Sequence, residues 1–428
     1  MIQELRIKNF RSFRKEVVFS FEADKSTNME EVQVISMPDG ARLLKFAMVY
    51  GANASGKSNL LSAFDFLNDF WLKKSNDSED GTGVEPFLLD KETPNQPSEF
   101  DLKFYVDRRR YWYHLRLDRN AVYSEKLYVY NSQQPTLLFK RNLENNISKI
   151  LFNHAAVKVS SVAQEKIELD CLKNISFFSA KGNANVDLGE IDKVRNWFKE
   201  RMLPNIHPFT HMYEYAEREL CDNEDLKNHI LSFLHKADFN ITGINSEIIN
   251  KPITTDLMRY IESSPIPDAE KENLKKKGTF ESIKTSFTHN VTNERGEEEY
   301  AFNEYQQSVG TKRMIGVETA IYEAEVKSGF LCIDELESSL HPELMEFLIQ
   351  KFLENKASQS QLLISTHCLD LLNLVGDLIR KDSVWFTEKD ESGSTDLYSL
   401  IEFKGLNKMS SILKSYKNGK FGAKPNLK

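Results

Sequence analysis

The segment Gly51–Ser58 of this 428-residue chain reads GANASGKS and fits the pattern G-x-x-x-x-G-K-[ST]. An apolar run from Leu44 to Tyr50 precedes it, and a helix-like stretch from Ser58 to Trp71 follows it. A strand, a glycine-containing loop and a helix in this order present consecutive backbone N–H groups to a phosphate. The sequence therefore predicts an α/β fold built around a nucleotide site.

Each position of this loop has an expected task. The backbone N–H groups wrap the β-phosphate, Lys57 reaches the β and γ oxygens, and the Ser58 hydroxyl holds Mg²⁺. Glycine lets the backbone approach without a Cβ in the way. The residues predicted to bind the nucleotide are Gly51, Asn53, Ala54, Ser55, Gly56, Lys57, Ser58 and Asn59.

A second apolar strand, Phe330–Glu335, ends in two carboxylates, as a nucleotide hydrolase requires beside its phosphate loop. We expect different roles for them. Asp334 binds Mg²⁺ directly or through water, and Glu335 acts as general base on the attacking water.

A third strand is predicted over Gln361–Ser365 and leads into Thr366 and His367. An imidazole at that point can hydrogen-bond the γ-phosphate and the attacking water. His367 is therefore a second candidate catalytic residue.

A further anion site is predicted where Ser308, Val309 and Gly310 precede a helix-like run from Lys312 to Val326. Ser308 is placed as the N-cap, and a hydroxyl, a glycine N–H and a helix N-terminus together attract an anion. Alone, this segment would be an ordinary cap, Asp334 and Glu335 two solvated acids, and His367 a surface histidine. The order of all these pieces in one chain makes a chance origin remote.

These motifs resemble the ABC-class ATPases, and more closely the heads of the SMC, RecF and OLD type. The opening strand and the turn Asn9–Phe13, the loop Gly51–Leu61 and the continuation Glu335–Pro342 carry the resemblance. The segment Tyr416–Asn426 is similar to the tail of stand-alone RloA-like ATPases from phage-defence operons. The matches cover about the first seventy and the last hundred and twenty residues.

The resemblance implies an α/β ABC-type ATPase head with a P-loop core sheet, an antiparallel β-subdomain, and ATP with Mg²⁺ as ligands. It also implies a homodimer or higher homo-oligomer in which Ser308 and Gly310 of one copy close over the nucleotide loop of another. The segment departs from the Leu-Ser-Gly-Gly form of transporters and keeps only the serine and one glycine. Glu85–Phe87 lies in the region where the group carries its Q-loop and Gln96 lies nearby, and the sequence does not assign the Q-loop residue.

The chain is divided into three predicted parts: an N-terminal ATPase lobe (1–180), a compact and mainly helical insertion (181–280) and a C-terminal ATPase lobe (281–428). Alternating strands are predicted at Phe13–Phe21, Glu99–Val106, Arg110–Leu117 and Ala121–Tyr130, and helices at Leu188–Met202 and Tyr215–Ala237. The insertion shows no sustained heptad pattern, so an extended SMC-type arm is not expected.

The composition limits the kinds of partner that the chain is expected to bind. With 56 basic and 64 acidic residues the formal charge is −8, which argues against indiscriminate coating of DNA. No apolar run reaches membrane-spanning length, and four cysteines without metal-binding spacing fit a reduced cytoplasm. The clusters Arg108–Arg110 and Lys275–Lys277 are interpreted as a hairpin tip and a solvated helix end.

Three functions remain open from the sequence. The favoured one is the sensor or regulatory ATPase of an antiviral system that controls a separately encoded nuclease or toxin and senses nucleic acid or a phage protein. The second is a RecF-like repair ATPase that binds DNA when ATP is present. The third, a transporter ATPase, is disfavoured by the signature and by the absence of a membrane segment.

Overall fold

The computed structural model describes residues 1–237 and 239–425, and the chain divides into two compact units. The first comprises Met1–Pro208 together with the chain from Glu323 onward, and the second is Phe209–Tyr322. Asn426, the last residue of the predicted tail motif, lies outside the described residues.

The strands and α-helices are named in chain order. The strands are β1 (Ile2–Lys8), β2 (Val17–Ser20), β3 (Val34–Ser36), β4 (Arg42–Leu44), β5 (Phe46–Tyr50), β6 (Ser98–Val106), β7 (Arg109–Leu117), β8 (Val122–Tyr130), β9 (Pro135–Glu144), β10 (Ile147–Phe152), β11 (Ile241–Pro252), β12 (Thr279–Asn293), β13 (Gly296–Asn303), β14 (Phe330–Ile333), β15 (Gln361–Thr366), β16 (Val384–Lys389) and β17 (Thr395–Ser399). The α-helices are α1 (Glu30–Gln33), α2 (Lys57–Leu72), α3 (Ser161–Asp170), α4 (Phe177–Gly182), α5 (Glu190–Arg201), α6 (Met212–Asp222), α7 (Glu224–Lys236), α8 (Thr255–Ser263), α9 (Asp268–Lys277), α10 (Val309–Lys327), α11 (Pro342–Glu354) and α12 (Ile412–Lys417).

The nucleotide-binding core is a five-stranded sheet of order β14-β15-β5-β16-β17. The three strands that precede the predicted motifs, β14, β15 and β5, run parallel, and every residue in them is buried. Parallel strands that are covered on both faces consist of uninterrupted apolar residues. These strands could therefore be predicted from the sequence. The predicted strands before the phosphate loop, before Asp334 and before His367 are confirmed, as is the helix after the loop.

A seven-stranded antiparallel sheet of order β10-β9-β8-β7-β6-β1-β2 forms the second layer of this unit. The predicted antiparallel strands correspond to β6, β7 and β8, whereas the strand predicted over Phe13–Phe21 is limited to Val17–Ser20. Residues before it form a tight turn in which Phe10 and Phe13 exchange both backbone hydrogen bonds, at 2.9 and 2.8 Å. Strand β2 therefore begins later in the chain than the alternating sequence pattern predicted.

Helices α2, α4 and α5 bury the inner face of this sheet through aromatic packing. Trp71 of α2 stacks on Phe178 of α4 and Phe198 of α5, with ring centroids 3.8 and 3.6 Å apart. Tyr111 and Arg109 of β7 both hydrogen-bond the carboxylate of Glu190 at the start of α5.

One ion pair lies fully inside this core. Glu125 and Arg141 are 3.1 Å apart with both side chains completely buried. The carboxylate also accepts from Tyr113 and from the Phe177 backbone N–H, and burial raises the pKa of Glu125 despite these partners. Removing either partner would leave an uncompensated buried charge and would strongly destabilise the fold.

The second unit combines helices with the three-stranded sheet β11-β12-β13. The single helix predicted over Tyr215–Ala237 is two helices, because Asn223 leaves helical geometry and its side chain caps α7 by accepting from Leu226 N–H. The sheet was not anticipated. Its strands are largely exposed and polar, so they carry little apolar alternation.

The unit boundaries differ from the predicted division. The predicted insertion starts at residue 181, whereas α5 belongs to the first unit because Trp197 and Phe198 pack in its core. The segment Ser308–Gly310, predicted within the C-terminal lobe, belongs to the second unit.

Candidate nucleotide site

The predicted catalytic segments follow three neighbouring parallel strands. In the register of the sheet Tyr50 lies opposite Thr366, and Ile333 lies opposite Ile364. The loop that starts at Gly51, the pair Asp334–Glu335 and His367 therefore leave the same edge of the sheet. The carboxyl edge of parallel strands is the usual place for ligands in α/β folds.

Two glycines of the phosphate loop stand where a side chain has no room. Gly56 has φ +111°, and a Cβ on it would lie 2.5 Å from Thr395 Oγ1 and 2.9 Å from Ser12 Oγ. A Cβ on Gly51 would lie 2.6 Å from the Thr387 carbonyl oxygen. The loop is thus packed against a floor while its outer residues Asn53 and Ala54 stay exposed.

Hydroxyl groups from distant parts of the chain build that floor. Thr395 Oγ1 donates to the Ser55 carbonyl at 2.7 Å and lies 2.8 Å from Ser12 Oγ. Ser55 Oγ lies 2.7 Å from Thr387 Oγ1, and Asn59 Nδ2 donates to Ser12 Oγ at 2.6 Å. No role was predicted for Thr387 or Thr395 from the sequence. Only the turn around Ser12 carried a signal, through the resemblance of the opening segment.

The turn Asn9–Phe13 also forms hydrogen bonds with the two segments that are candidates for the Q-loop. Asn9 Nδ2 donates to the carbonyl of Gln96, and Asn9 Oδ1 accepts from Phe87 N–H. Arg11 N–H donates to the Glu85 carbonyl at 2.7 Å. Both candidate segments are therefore tied to the turn beside the phosphate loop.

Lys57 is buried at the start of α2 and donates to the carbonyls of Gly51 and Ala52 at 2.8 and 3.2 Å. Burial lowers the pKa of its ammonium group, and the charges of Glu337, Glu335 and Asp334 act in the opposite direction. An ammonium group in this setting gains from a polyanionic ligand, which would replace carbonyl dipoles with full negative charge.

The acidic pair is fixed by Ser365 of the neighbouring strand. Its hydroxyl donates to Asp334 Oδ1 and accepts from Glu335 N–H at 2.9 Å. Asp334 is buried and Glu335 is half-buried with φ +48°. A left-handed backbone is unfavourable for glutamate, and such strain concentrates at functional sites. The left-handed backbone of Glu335 ends the extended conformation of the chain directly after Asp334.

Glu337 is a site residue that sequence reasoning left without a role. Its Oε1 lies 2.6 Å from both the backbone nitrogen and Nδ1 of His367. Its Oε2 is buried and, among the described residues, has no hydrogen-bond partner. The available signal was its position two residues after Glu335, where a third carboxylate follows the acidic strand. Glu337 orients the imidazole and leaves one acceptor oxygen open.

Ser308 caps α10 as predicted, since its Oγ accepts from Thr311 N–H at 3.0 Å. Ser308 is exposed, Val309 is 70% exposed, and Gly310 is half-buried. The turn therefore presents a hydroxyl and a helix N-terminus on the surface of the second unit. Its contact with a nucleotide held by another copy remains a prediction.

The residues at the sheet edge fit a nucleoside triphosphate with Mg²⁺. The loop offers a backbone cradle that a Cβ would fill, the Ser58 hydroxyl is exposed, and Glu337 keeps an unpaired acceptor oxygen. The described residues hold no cluster of three or more His, Cys, Asp or Glu side chains suited to a metal. A metal held by Ser58 and Asp334 would accordingly take its remaining ligands from phosphate and water, as Mg²⁺ does in phosphoryl-transfer sites.

The fold and this arrangement of residues define a P-loop protein of the ATPase class. The sequence profile of the AAA ATPase domain family AAA_15 matches residues 1–372, and the chain belongs to that family. A comparison with curated proteins gave no match.

Two solved structures are similar to the chain over nearly its whole length. One is the SMC head domain from Thermotoga maritima, with 12% identity, 93% of this chain and 98% of that chain covered, and a TM-score of 0.43. The other is an SMC head bound to the C-winged helix domain of ScpA, with 14% identity, coverages of 97% and 99%, and a TM-score of 0.40. Within residues 1–237 and 239–425, no helix is both long and apolar enough to cross a membrane.

Proposed function

We propose that this chain binds ATP with Mg²⁺ and hydrolyses it when two copies close around the nucleotide. The observation that carries the proposal is the convergence of the phosphate loop, Asp334–Glu335 and His367 at one edge of the parallel sheet. Bound Mg²⁺ would supply charge neutralisation between the β- and γ-phosphates. Ser58 and Asp334 are the residues that would hold it.

The proposed tasks of the side chains follow from their environments. Lys57 exchanges its carbonyl contacts for phosphate oxygens. Glu335 accepts the proton of the attacking water, and His367, oriented by Glu337, hydrogen-bonds the γ-phosphate. This division leaves each carboxylate one function: Asp334 on the metal, Glu335 on water and Glu337 on the imidazole.

Closure between copies depends on Ser308 and Gly310, which would cap the γ-phosphate held by a second copy. Hydrolysis removes that phosphate contact and releases the interface, so the nucleotide sets the assembly state. The exposed serine at the N-terminus of α10 supports this part of the proposal.

The test is a set of three variants assayed for ATP binding, turnover and mass in solution. Lys57→Ala is expected to lose ATP binding, and Glu335→Gln is expected to bind ATP, stop turnover and accumulate as a dimer. Glu343→Gln, which neutralises an 88% exposed carboxylate at the start of α11, is the matched control and should behave like the wild type. Unchanged turnover in Glu335→Gln would remove the assigned general base.

We further propose that the ATPase is the sensor or regulatory subunit of an antiviral system whose effector is a separate nuclease or toxin. The similarity of the segment Tyr416–Asn426 to the tail of RloA-like defence ATPases supports this assignment. Cells carrying the native operon should lose phage resistance with Lys57→Ala and keep it with Glu343→Gln. Resistance that persists in Lys57→Ala cells, combined with repair defects, would favour the RecF-like alternative.

A further inference from the structure

The outer face of the antiparallel sheet has an unusual charge for this chain. Side chains that alternate with the buried ones on β7, β8, β9 and β10 are half-buried or exposed, and helices α2, α4 and α5 pack on the opposite face. The basic residues at these outward positions are Arg110, Arg116, Lys126, Lys140 and Lys149, and the acidic residue is Glu144 at the turn between β9 and β10. The whole chain has more acidic than basic residues, so this excess is local.

Two of these cations face each other directly. Lys126 of β8 lies opposite Lys140 of β9 in the register of the sheet, and both side chains are half-buried. Neither has an ion pair with any described residue, whereas the other three cations, Arg110, Arg116 and Lys149, are paired with Asp39, Glu99 and Glu168. Like charges directly opposite on neighbouring strands destabilise a sheet. An anion between the two ammonium groups would relieve this repulsion.

Aromatic rings stand beside the lysine pair. Trp112 of β7 lies opposite Tyr128 of β8, and their rings stack with centroids 4.7 Å apart and planes 17° apart. Tyr128 is two residues from Lys126 on the same face, a separation of about 7 Å along the strand. Next to them the Arg110 guanidinium lies 4.0 Å from the centroid of the Tyr130 ring.

We propose that this face binds single-stranded nucleic acid, with backbone phosphate on Lys126 and Lys140 and an unpaired base against Trp112 and Tyr128. A phosphate group satisfies two facing ammonium groups, and an aromatic platform within one nucleotide of them suits a stacked base. A duplex keeps its base faces covered, and an acidic protein segment supplies charge without the stacking group. The surface is separate from the nucleotide site, and its binding requires no ATP.

The test is fluorescence anisotropy of a labelled single-stranded oligonucleotide of about 20 nucleotides, longer than the roughly 4–16 nucleotides that an OB-fold domain covers on a single strand. The full chain is titrated without ATP over a range of salt concentrations. Lys126→Gln/Lys140→Gln is expected to weaken binding and to reduce the slope of log K against log salt by about 0.7, because the two lysines share one phosphate and each single-strand phosphate contact contributes about 0.7. Tyr128→Leu is expected to weaken binding on the order of tenfold with the slope unchanged.

Matched controls distinguish binding at this surface from nonspecific electrostatic binding to other basic residues. Lys276→Gln/Lys277→Gln removes two exposed lysines of α9 and should leave both affinity and slope unchanged. Lys57→Ala should bind the oligonucleotide like the wild type, so that failure of this surface and failure of the ATPase proposal give different results. Urea unfolding should show that the Lys126→Gln/Lys140→Gln protein is at least as stable as the wild type, since a repulsive pair is gone.

Three results would each overturn the assignment. The first is a salt slope in Lys126→Gln/Lys140→Gln equal to that of the wild type. The second is binding of duplex DNA as tight as that of the single strand, which would remove the stacking role of Trp112 and Tyr128. The third is equal competition by polyglutamate, which would show a general acidic-protein surface.

Discussion

Gly56→Ala tests the cradle on which the site depends. At φ +111° an L-residue carries a backbone cost of about 1–2 kcal/mol. The added Cβ would also lie 2.5 Å from Thr395 Oγ1 and 2.9 Å from Ser12 Oγ, and forcing atoms into such a packed position costs about 1–3 kcal/mol. Gly40→Ala is the matched control, because Gly40 has φ +89° with nothing within 4 Å of its added Cβ.

The two costs are separated by urea unfolding and by titration with a fluorescent ATP analogue. Both variants should lose about 1–2 kcal/mol of unfolding free energy to backbone strain. In Gly56→Ala the clash pushes Thr395 and Ser12 away from the loop, so ATP affinity should fall about 5- to 150-fold, the equivalent of the clash energy. Gly56→Ala with the ATP affinity of Gly40→Ala would refute the packed-loop reasoning.

Three further substitutions test individual contacts. Glu337→Gln should lower kcat on the order of tenfold with little change in KM, because a neutral amide holds His367 less firmly; steady-state ATPase kinetics measure this. Glu125→Gln should cost about 3–5 kcal/mol in urea unfolding, since it leaves Arg141 buried without its counter-charge. Burial opposes ionisation of Glu190, but its hydrogen bonds from β7 and α5 hold its pKa at about 2. The stabilisation is therefore complete above pH 4.5 and is lost as the pH falls towards 2, so wild type and Glu190→Gln should converge in acid.

The parts of the fold that the sequence predicted share a physical cause. Buried parallel strands consist of uninterrupted apolar residues, and the phosphate loop needs glycine at fixed places, so β5, β14, β15 and α2 were readable. In the antiparallel strands β6 to β8, successive side chains alternate between the core face and the solvent face of the sheet. This period of two can also be recognised in the sequence.

The missed features depend on contacts between distant positions or on weak local preference. Thr387 and Thr395 support the phosphate loop from more than three hundred positions away, and no local pattern marks a threonine for that task. No role for Glu337 was predicted, because its contact with His367 exists only after β14 and β15 pair. The polar strands of the second unit lack the apolar alternation that identifies a half-buried strand.

The most direct test of the central claim mixes two inactive variants. Lys57→Ala lacks a working phosphate loop and Ser308→Arg lacks a working cap, so each alone should show no turnover. A mixed pair contains one complete site, formed by the loop of the Ser308→Arg copy and the cap of the Lys57→Ala copy. Mixing should restore up to about a quarter of wild-type ATPase activity, since half the pairs would be mixed and each would hold one site of two. A mixture as inactive as its two components would contradict a nucleotide shared between copies.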